Sequence, residues 1–320
     1  MADSRSGSKK TRASPKGGGF AAGLARLASG LRRKIFSKPA PRAATIQKAI
    51  KPEPAAVAPA SPPAVRPGWR TSRPELLERI WGAGWHLPLG KPLMEVMVAP
   101  FGLTKEMSVV DLSAGLGGMA RRIAGEYKTY VTGLEPDPAL AAYGAAQSLR
   151  QGMARNAPVD HYDPEIHEAE RRYDCVLARE LFFRIKDKPR FIGVVTGSLK
   201  SYGQVSWTDF IVEEPDLSLP AMEAWLGHEA GARPLSLNAS QELWSGFGYD
   251  MRVSEDRTEA YKKDILQALA RFVPFLKQQK LAEDVKPLIM GEIELWARRA
   301  AAFQAGMKFY RFYATKKTGA

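Results

Sequence analysis

From residue 71 onward, short apolar runs alternate with longer amphipathic stretches. Apolar runs bounded by turn residues are typical of strands buried on both faces, and apolar residues three or four positions apart indicate covering helices. The pattern predicts a series of strands at 108–112, 129–135, a short one ending at Val159, 173–177, 204–211 and 307–315. A crossover helix is predicted over 188–199. This alternation favours an α/β fold with helices on both faces of the sheet.

The first 68 residues show a different pattern. Residues 1–19 are mainly Ser, Lys, Arg and Gly, and residues 37–68 are dominated by Pro and Ala, so neither stretch has the apolar surface to form a core. Between them, apolar residues recur at helical spacing over 20–36, which predicts a short basic amphipathic helix. We therefore expect 1–68 to form a disordered basic arm and 69–320 to form the folded domain.

The excess positive charge of the chain lies in this arm. The formal net charge is +13, and residues 1–70 hold fifteen Lys or Arg against two acids, which leaves the rest of the chain neutral. An anionic membrane surface or a nucleic acid would attract such an arm. A solubilising extension or a targeting presequence would have the same composition. The neutral domain argues against a nucleic-acid enzyme.

Composition narrows the class of protein further. An apolar content of 45% is ordinary for a globular chain, and no run approaches the roughly 18 apolar residues of a membrane span. The single cysteine, Cys175, excludes an internal disulfide and a multi-cysteine zinc or iron–sulfur site. We expect a cytoplasmic protein without a bound metal, which residues 20–36 could bring to an anionic membrane surface.

The strongest chemical signal is the sequence VVDLSAGLGG, an apolar strand that runs into a glycine-rich turn. Asp111 ends the strand, and Gly115 and Gly117 let a ligand approach the backbone closely. Glu135 ends the next strand, where a carboxylate can accept hydrogen bonds from both ribose hydroxyls. Close packing alone could also explain such a turn. Because the spacing differs from GxGxxG, a nucleoside cofactor without a pyrophosphate is favoured over a dinucleotide.

These motifs, with GLEPD and a later TDF, resemble class I S-adenosylmethionine-dependent methyltransferases. RELFFRIKDKP at 179–189, SEDRT at 254–258 and FYRFYATKK at 309–317 are most similar to the phosphoethanolamine N-methyltransferases. The resemblance covers roughly residues 69–317. It implies a Rossmann-like fold with a mostly parallel seven-stranded sheet, and inserted helices within 218–230 and 257–303 that cap the acceptor side.

The resemblance also implies roles for particular residues. Asp111, Gly115 and Gly117 would contact the methionine and sugar end of S-adenosylmethionine, and Glu135 its ribose. Asp160 would bind the adenine amino group, although Asp163 competes for that role. Arg179 and Glu180 match the Arg-Asp pair of the family, with Arg179 beside the cofactor. Glu180 would either orient a cationic amine or form a salt bridge with a nearby arginine.

Several positions depart from the family pattern. Ser113 replaces a glycine of the cofactor turn, Arg184 the family His, Trp69 a Tyr, and Phe210 the Tyr implicated in holding the phosphate. Arginine cannot act as a base because its pKa exceeds about 12. Arg184 could instead bind an anionic group or be a surface charge, and Trp69 could stack on a cationic or planar acceptor.

His86 is the remaining candidate for a catalytic base, with a structural role as the alternative, and phosphoethanolamine itself is disfavoured as a substrate. The leading hypothesis is a methyltransferase that uses S-adenosylmethionine to modify a small-molecule or lipid-like acceptor, with His86, Glu180 and Arg184 as catalytic candidates. A catalytically impaired scaffold or regulatory protein with the same fold is the alternative. A third hypothesis, methylation of a nucleic acid held by the arm, conflicts with the neutral domain.

Overall fold

The computed structural model describes residues 68–229 and 231–317, together with Gly23, Arg26, Ser29 and Gly30. These four residues, all within the predicted helix 20–36, are helical. The rest of that helix and of the predicted arm 1–68, apart from Gly68, lies outside the described residues.

Seven strands form one sheet in the described part of the chain, in the order β3-β2-β1-β4-β5-β7-β6. They are β1 (Ser108–Asp111), β2 (Tyr130–Glu135), β3 (Val159–His161), β4 (Tyr173–Arg179), β5 (Leu199–Ile211), β6 (Tyr249–Asp256) and β7 (Lys308–Lys316). Strands β1 to β5 run parallel, and β7 runs antiparallel to both β5 and β6. The predicted mostly parallel seven-stranded sheet is confirmed.

Helices connect and cover the strands. They are α1 (Arg73–Trp81), α2 (Gly90–Val98), α3 (Gly118–Tyr127), α4 (Pro138–Arg150), α5 (Lys188–Gly197), α6 (Pro220–His228), α7 (Leu237–Gly246), α8 (Thr258–Gln278) and α9 (Lys286–Gln304). Among the described residues, no helix combines the length and the apolar character that crossing a membrane requires.

Helices cover both faces of the sheet. Because successive side chains of a strand point to opposite faces, each inner strand contributes to two cores. In β4, Cys175 and Leu177 belong to one core, which includes residues of α2, α3, α8 and α9. Val176 and Ala178 belong to the other core, which includes residues of α5 and α7. This two-sided burial explains the continuous apolar runs in the sequence.

Strand β6 is the one element of the sheet that the hydrophobic pattern does not predict. It lies at the sheet edge, and of its eight residues only Tyr249 is fully buried. A register irregularity between Met251 and Val253 further disturbs its alternation. An edge strand of this kind lacks the apolar run that identifies the inner strands, and long-range pairing with β7 fixes its position instead.

Trp207 of β5 should be a main contributor to stability. Its ring stacks on Trp244 at 4.2 Å and on Phe312 at 4.9 Å, and it is fully buried. We expect Trp207→Ala to reduce the free energy of unfolding by about 3–5 kcal/mol, as measured by urea denaturation. Leu149→Ala at an exposed site on α4 is the control, with an expected change within about 0.5 kcal/mol. Equal effects of the two substitutions would contradict this account of the core.

Candidate functional site

A cavity of about 440 Å³ lies at the carboxyl-terminal ends of β1, β2 and β4. In an open α/β sheet, this edge is where ligands bind. Residues from the α1–α2 connection and one side of α9 complete its walls. The cavity brings together five of the predicted site residues, namely His86, Glu135, Arg179, Glu180 and Arg184.

The glycine-rich turn between β1 and α3 forms the floor beside the cavity. Gly115 and Gly117 have φ values of +55° and +73°, which residues with a Cβ adopt only at a cost. The buried Arg121 holds this turn by donating to the Leu116 carbonyl at 2.8 Å. Ser113, which replaces the family glycine, accepts a hydrogen bond from the Arg179 backbone N–H at 2.5 Å and so ties the turn to β4.

Glu135 is buried at the end of β2 and faces this turn. Its two carboxylate oxygens accept hydrogen bonds from the Gly115 N–H at 2.6 Å and the Asp137 N–H at 2.9 Å. Burial raises the pKa of Glu135 to about 7, although these two bonds oppose the shift. Each oxygen has a second lone pair, so the carboxylate can also accept hydroxyl donors from a ligand.

Asp111 and Arg179 carry buried polar atoms that lack partners. The Asp111 side chain accepts a hydrogen bond from the Ser113 N–H at 3.1 Å through one oxygen. Its other oxygen and Nε of Arg179 have no hydrogen-bond partner among the described residues. Burial raises the pKa of Asp111 to about 6, against the opposing effects of the Ser113 bond and the Arg179 charge. Unpaired buried groups of opposite sign suit a ligand with both an amine and a carboxylate.

His86 lies directly over the glycine-rich turn. A Cβ added to Gly115 would come within 1.9–2.7 Å of the His86 ring atoms, so this position has room only for glycine while the ring is there. Burial, followed by the positive charges of Arg179, Arg73, Arg184 and Arg299, lowers the pKa of His86 to about 3. The imidazole is therefore neutral near pH 7 and a weak base, which argues against the predicted role as catalytic base.

A buried ionic network forms the far wall of the cavity. Arg299 of α9 donates to Glu229 at 2.6 and 2.9 Å, to Glu180 at 2.8 Å and to the Tyr261 hydroxyl at 3.0 Å. Burial alone would raise the pKa of Glu229, but Arg299 and then Arg184 more than offset it and lower the pKa to about 2. Arg299, Glu180 and Glu229 are all nearly inaccessible to solvent, so the network is a permanent part of the wall.

Two predicted catalytic residues belong to this network. Glu180, which has a left-handed backbone with φ of +50°, also accepts a hydrogen bond from the Tyr261 hydroxyl at 2.9 Å. Both of its oxygens are thus engaged, and the salt-bridge alternative describes it better than the orientation of an amine. Arg184 donates to Glu229 at 2.5 Å and is half-exposed at the cavity edge.

Arg73 of α1 spans the mouth of the cavity. Its Nε donates to Glu292 of α9 at 2.9 Å, and its Nη1 donates to Asp137 at 2.7 Å. Asp137 also caps α4 by accepting the backbone N–H groups of Ala139 and Leu140. Arg73 thus links α1 to the start of α4 and to α9.

Asp160 and Trp69 do not reach this cavity. Asp160 is exposed and, with Asp163, lines a separate cavity of about 660 Å³. The connection after β3 instead contributes Pro164 and Glu165 to the main cavity, so Asp160 does not line the cavity that contains Glu135 and Arg179. The Trp69 backbone N–H donates to the Lys280 carbonyl, and its ring meets Phe275 edge-on at 5.4 Å. These contacts hold Trp69 on the outer side of the domain, away from any acceptor in the main cavity.

Sequence reasoning missed Arg299, Glu229, Glu292 and Arg73. Arg299 stands beside Arg298 in the sequence, and paired arginines usually lie on a solvated face. Its spacing from Trp296 and Phe303, three and four residues away, places it on the buried side of α9. Glu229 and Arg73 gave no comparable local signal, because their partners are distant in the sequence.

Comparisons with known proteins agree with this fold. No family model matches the chain. Phosphoethanolamine N-methyltransferase 1 of Zea mays is 21% identical over 195 residues, covering 61% of this chain and 38% of that protein. A structure of phosphoethanolamine N-methyltransferase 2 of Haemonchus contortus, in complex with phosphomonomethylethanolamine and S-adenosylhomocysteine, has a TM-score of 0.66 at 20% identity. The match covers 77% of this chain and 57% of the Haemonchus contortus chain.

A third similar protein is coclaurine N-methyltransferase bound to N-methylheliamine and S-adenosylhomocysteine. Its TM-score is 0.60 at 16% identity, with 76% of this chain and 78% of that chain covered. The chain spans less than two fifths of the length of the curated relative from Zea mays. At these identities, the comparisons show that the chain has the class I methyltransferase fold.

Removing the charge of Glu229 should destabilise the protein strongly. Glu229→Gln leaves the fully buried Arg299 with one carboxylate in place of two, and breaking a buried ion pair costs about 3–5 kcal/mol. The measurement is the free energy of unfolding from urea denaturation. The control is Glu223→Gln, an exposed position on α6, the helix that Glu229 follows. It should change the free energy of unfolding by less than about 0.5 kcal/mol. A loss below 1 kcal/mol for Glu229→Gln would contradict the network's structural importance.

Proposed function

We propose that residues 69–320 form an S-adenosylmethionine-dependent methyltransferase domain that modifies a small-molecule acceptor. The observation that carries the proposal is the convergence of the glycine-rich turn, Glu135 and the unpaired Asp111–Arg179 groups at one edge of the sheet. The class I fold of the chain and its similarity to phosphoethanolamine N-methyltransferases support the same conclusion.

The residues present suit this cofactor. Glu135 would accept hydrogen bonds from the ribose hydroxyls, and the Gly115 N–H of the glycine-rich turn holds that carboxylate in place. The free oxygen of Asp111 and Nε of Arg179 match the amine and the carboxylate of a methionine moiety in sign. Pro136 and Ile185, which both line the cavity, would supply apolar contact for the adenine.

The cofactor would supply a methyl group bonded to a positively charged sulfonium. The chemistry would be a displacement at this methyl carbon by the lone pair of the acceptor. Alignment of the acceptor within about 3–3.5 Å is the main requirement of such a displacement. The buried walls of the cavity would provide this alignment and exclude water. The neutral His86 would pack against the cofactor.

The open cavity favours an enzyme over a scaffold. Trp69 lies outside it, Phe182 is buried in the core on the other face of the sheet, and Arg184 stands at its edge. None of these side chains fills the space beside the cofactor edge. Binding of residues 20–36 to an anionic membrane and modification of a lipid-like acceptor remain predictions from sequence.

Cofactor affinity should depend on pH through Glu135. Its pKa of about 7 means that the unliganded carboxyl is largely protonated at pH 6, whereas ribose hydroxyls bind best to the ionised form. Binding at pH 6 must therefore release a proton, and affinity should be about tenfold weaker there than at pH 8. Calorimetric titration with S-adenosylhomocysteine at both pH values measures this. Glu135→Gln should bind more weakly and lose this part of the pH dependence, and a pH dependence that survives in the variant would exclude Glu135 as its source.

Gly115→Ala should weaken cofactor binding strongly. The added Cβ would displace the His86 ring, which lines the cavity, and alanine would be strained at a φ of +55°. We expect at least a tenfold loss of affinity for S-adenosylhomocysteine by calorimetry. Gly102→Ala is the matched control, since its φ of +59° is similar but its Cβ would meet no atom of the described residues within 4 Å. It should cost about 1 kcal/mol of stability and leave binding unchanged.

A further inference from the structure

One side of α9 forms the wall of the cavity beyond the cofactor edge. Glu292, Leu295, Trp296 and Arg299 follow each other at helical spacing and all line the cavity. Leu77 and Leu87 contribute apolar surface to the same space. An acceptor placed there would meet an apolar chamber with a few polar groups.

Glu292 holds a carboxylate oxygen without a partner. Only 6% of the residue is exposed, and its Oε1 accepts the hydrogen bond from Arg73. Within the described residues, its Oε2 has no hydrogen-bond partner, and neither does Nε1 of Trp296, four residues further along the helix. Leaving a buried carboxylate oxygen unpaired is costly, so a ligand that donates a proton to it would remove that cost.

The cavity is poorly suited to a phosphate. The described residues that line it include four arginines and five carboxylates, so positive charge is not in excess. Arg299 is engaged by Glu180 and Glu229, Arg184 by Glu229, and Arg73 by Glu292 and Asp137. Phe210 packs in an aromatic cluster beneath Arg299 and offers no hydroxyl. The fourth arginine, Arg179, donates to the Pro88 carbonyl and has no carboxylate partner among the described residues. A phosphate placed among the other three arginines would compete with carboxylates that already engage them.

We propose that Glu292 is the specificity-determining residue of an acceptor subsite on α9, which takes an unphosphorylated amine with an apolar body. The inference rests on the proposed methyltransferase function and names its acceptor class. The amine donates an N–H to Oε2 of Glu292, while its apolar body lies against Leu77, Leu87 and Leu295.

This arrangement fits the charge changes of methyl transfer. An alkylammonium gives one proton to water before it enters, and the neutral amine donates an N–H to Glu292 while its lone pair stays free. When that lone pair bonds to the methyl carbon, the positive charge moves from sulfur to nitrogen. The carboxylate of Glu292 stabilises the charge that develops on the nitrogen. This interaction is stronger in the transition state than in the bound amine, so it lowers the barrier of the transfer. No base is needed in the transfer step.

The test uses the full chain and two substitutions on α9. Glu292→Gln keeps a carbonyl oxygen for Arg73 but replaces the free oxygen with an N–H donor, and Glu294→Gln changes an exposed carboxylate on the same helix. Ligand-observed NMR measures the affinities of benzylamine, cyclohexylamine, benzonitrile and phosphoethanolamine, with and without S-adenosylhomocysteine. Benzonitrile has a shape similar to benzylamine, but it accepts a hydrogen bond and cannot donate one. It therefore tests whether residue 292 has changed from an acceptor to a donor.

We expect benzylamine and cyclohexylamine to bind the wild type more tightly than phosphoethanolamine. Glu292→Gln should weaken both amines at least tenfold without weakening benzonitrile, and Glu294→Gln should change nothing. A merely structural role of Glu292 would weaken all ligands together. Failure of both amines to bind, tighter binding of phosphoethanolamine, or equal amine affinity in Glu292→Gln and Glu294→Gln would overturn the proposal.

The cofactor titration separates this proposal from the one on which it rests. If S-adenosylhomocysteine does not bind, the methyltransferase function fails, and the amine measurements without cofactor still test the subsite. If S-adenosylhomocysteine binds but the amines do not respond to Glu292, the function stands and the acceptor class is wrong. With S-adenosylmethionine present, N-methylbenzylamine detected by mass spectrometry and lost in Glu292→Gln would support both.

Discussion

The burial of Arg299 is the constraint on which the α9 wall of the cavity depends. A guanidinium taken out of water must be matched by carboxylates in good geometry, since it cannot release its proton. Three segments supply what it needs: Glu180 at the end of β4, Glu229 after α6 and Tyr261 on α8. The inserted helices are thereby fixed to the edge of the sheet at which the cofactor turn lies.

This network also shows that charged residues which the sequence suggests as catalytic can be ion-paired within the protein. Glu180 and Arg184 occupy positions next to the cavity, yet each is engaged in neutralising a buried partner. Near the cavity, the described residues that carry unpaired buried atoms include Asp111, Arg179, Glu292 and Trp296. In a buried site, the hydrogen bonds that the protein leaves unmade are a better guide to ligand chemistry than the number of charges along its walls.

Local signals allowed the glycine-rich turn and the carboxylate beside it to be predicted from sequence. The apolar run of β1, the glycines that need positive φ and the carboxylate ending β2 all act within a few residues of one another, so the pattern carries them. The acceptor side depends on contacts between residues far apart, such as Arg73 with Glu292 or Arg299 with Glu180, and no periodicity encodes them. Asp160 shows the limit of these local signals. The short strand was predicted to end at Val159, whereas β3 begins there, and the pattern did not determine which cavity Asp160 would line.

The contact between His86 and Gly115 ties together two positions from different segments. Any side chain at residue 115 would occupy the space of the imidazole, so residue 115 cannot be altered without a rearrangement at residue 86. Over evolutionary time, the two positions should therefore change as a pair: descendants that keep a bulky residue at 86 are restricted to glycine at 115. The segment that covers the turn thus narrows the mutational paths open to the turn itself.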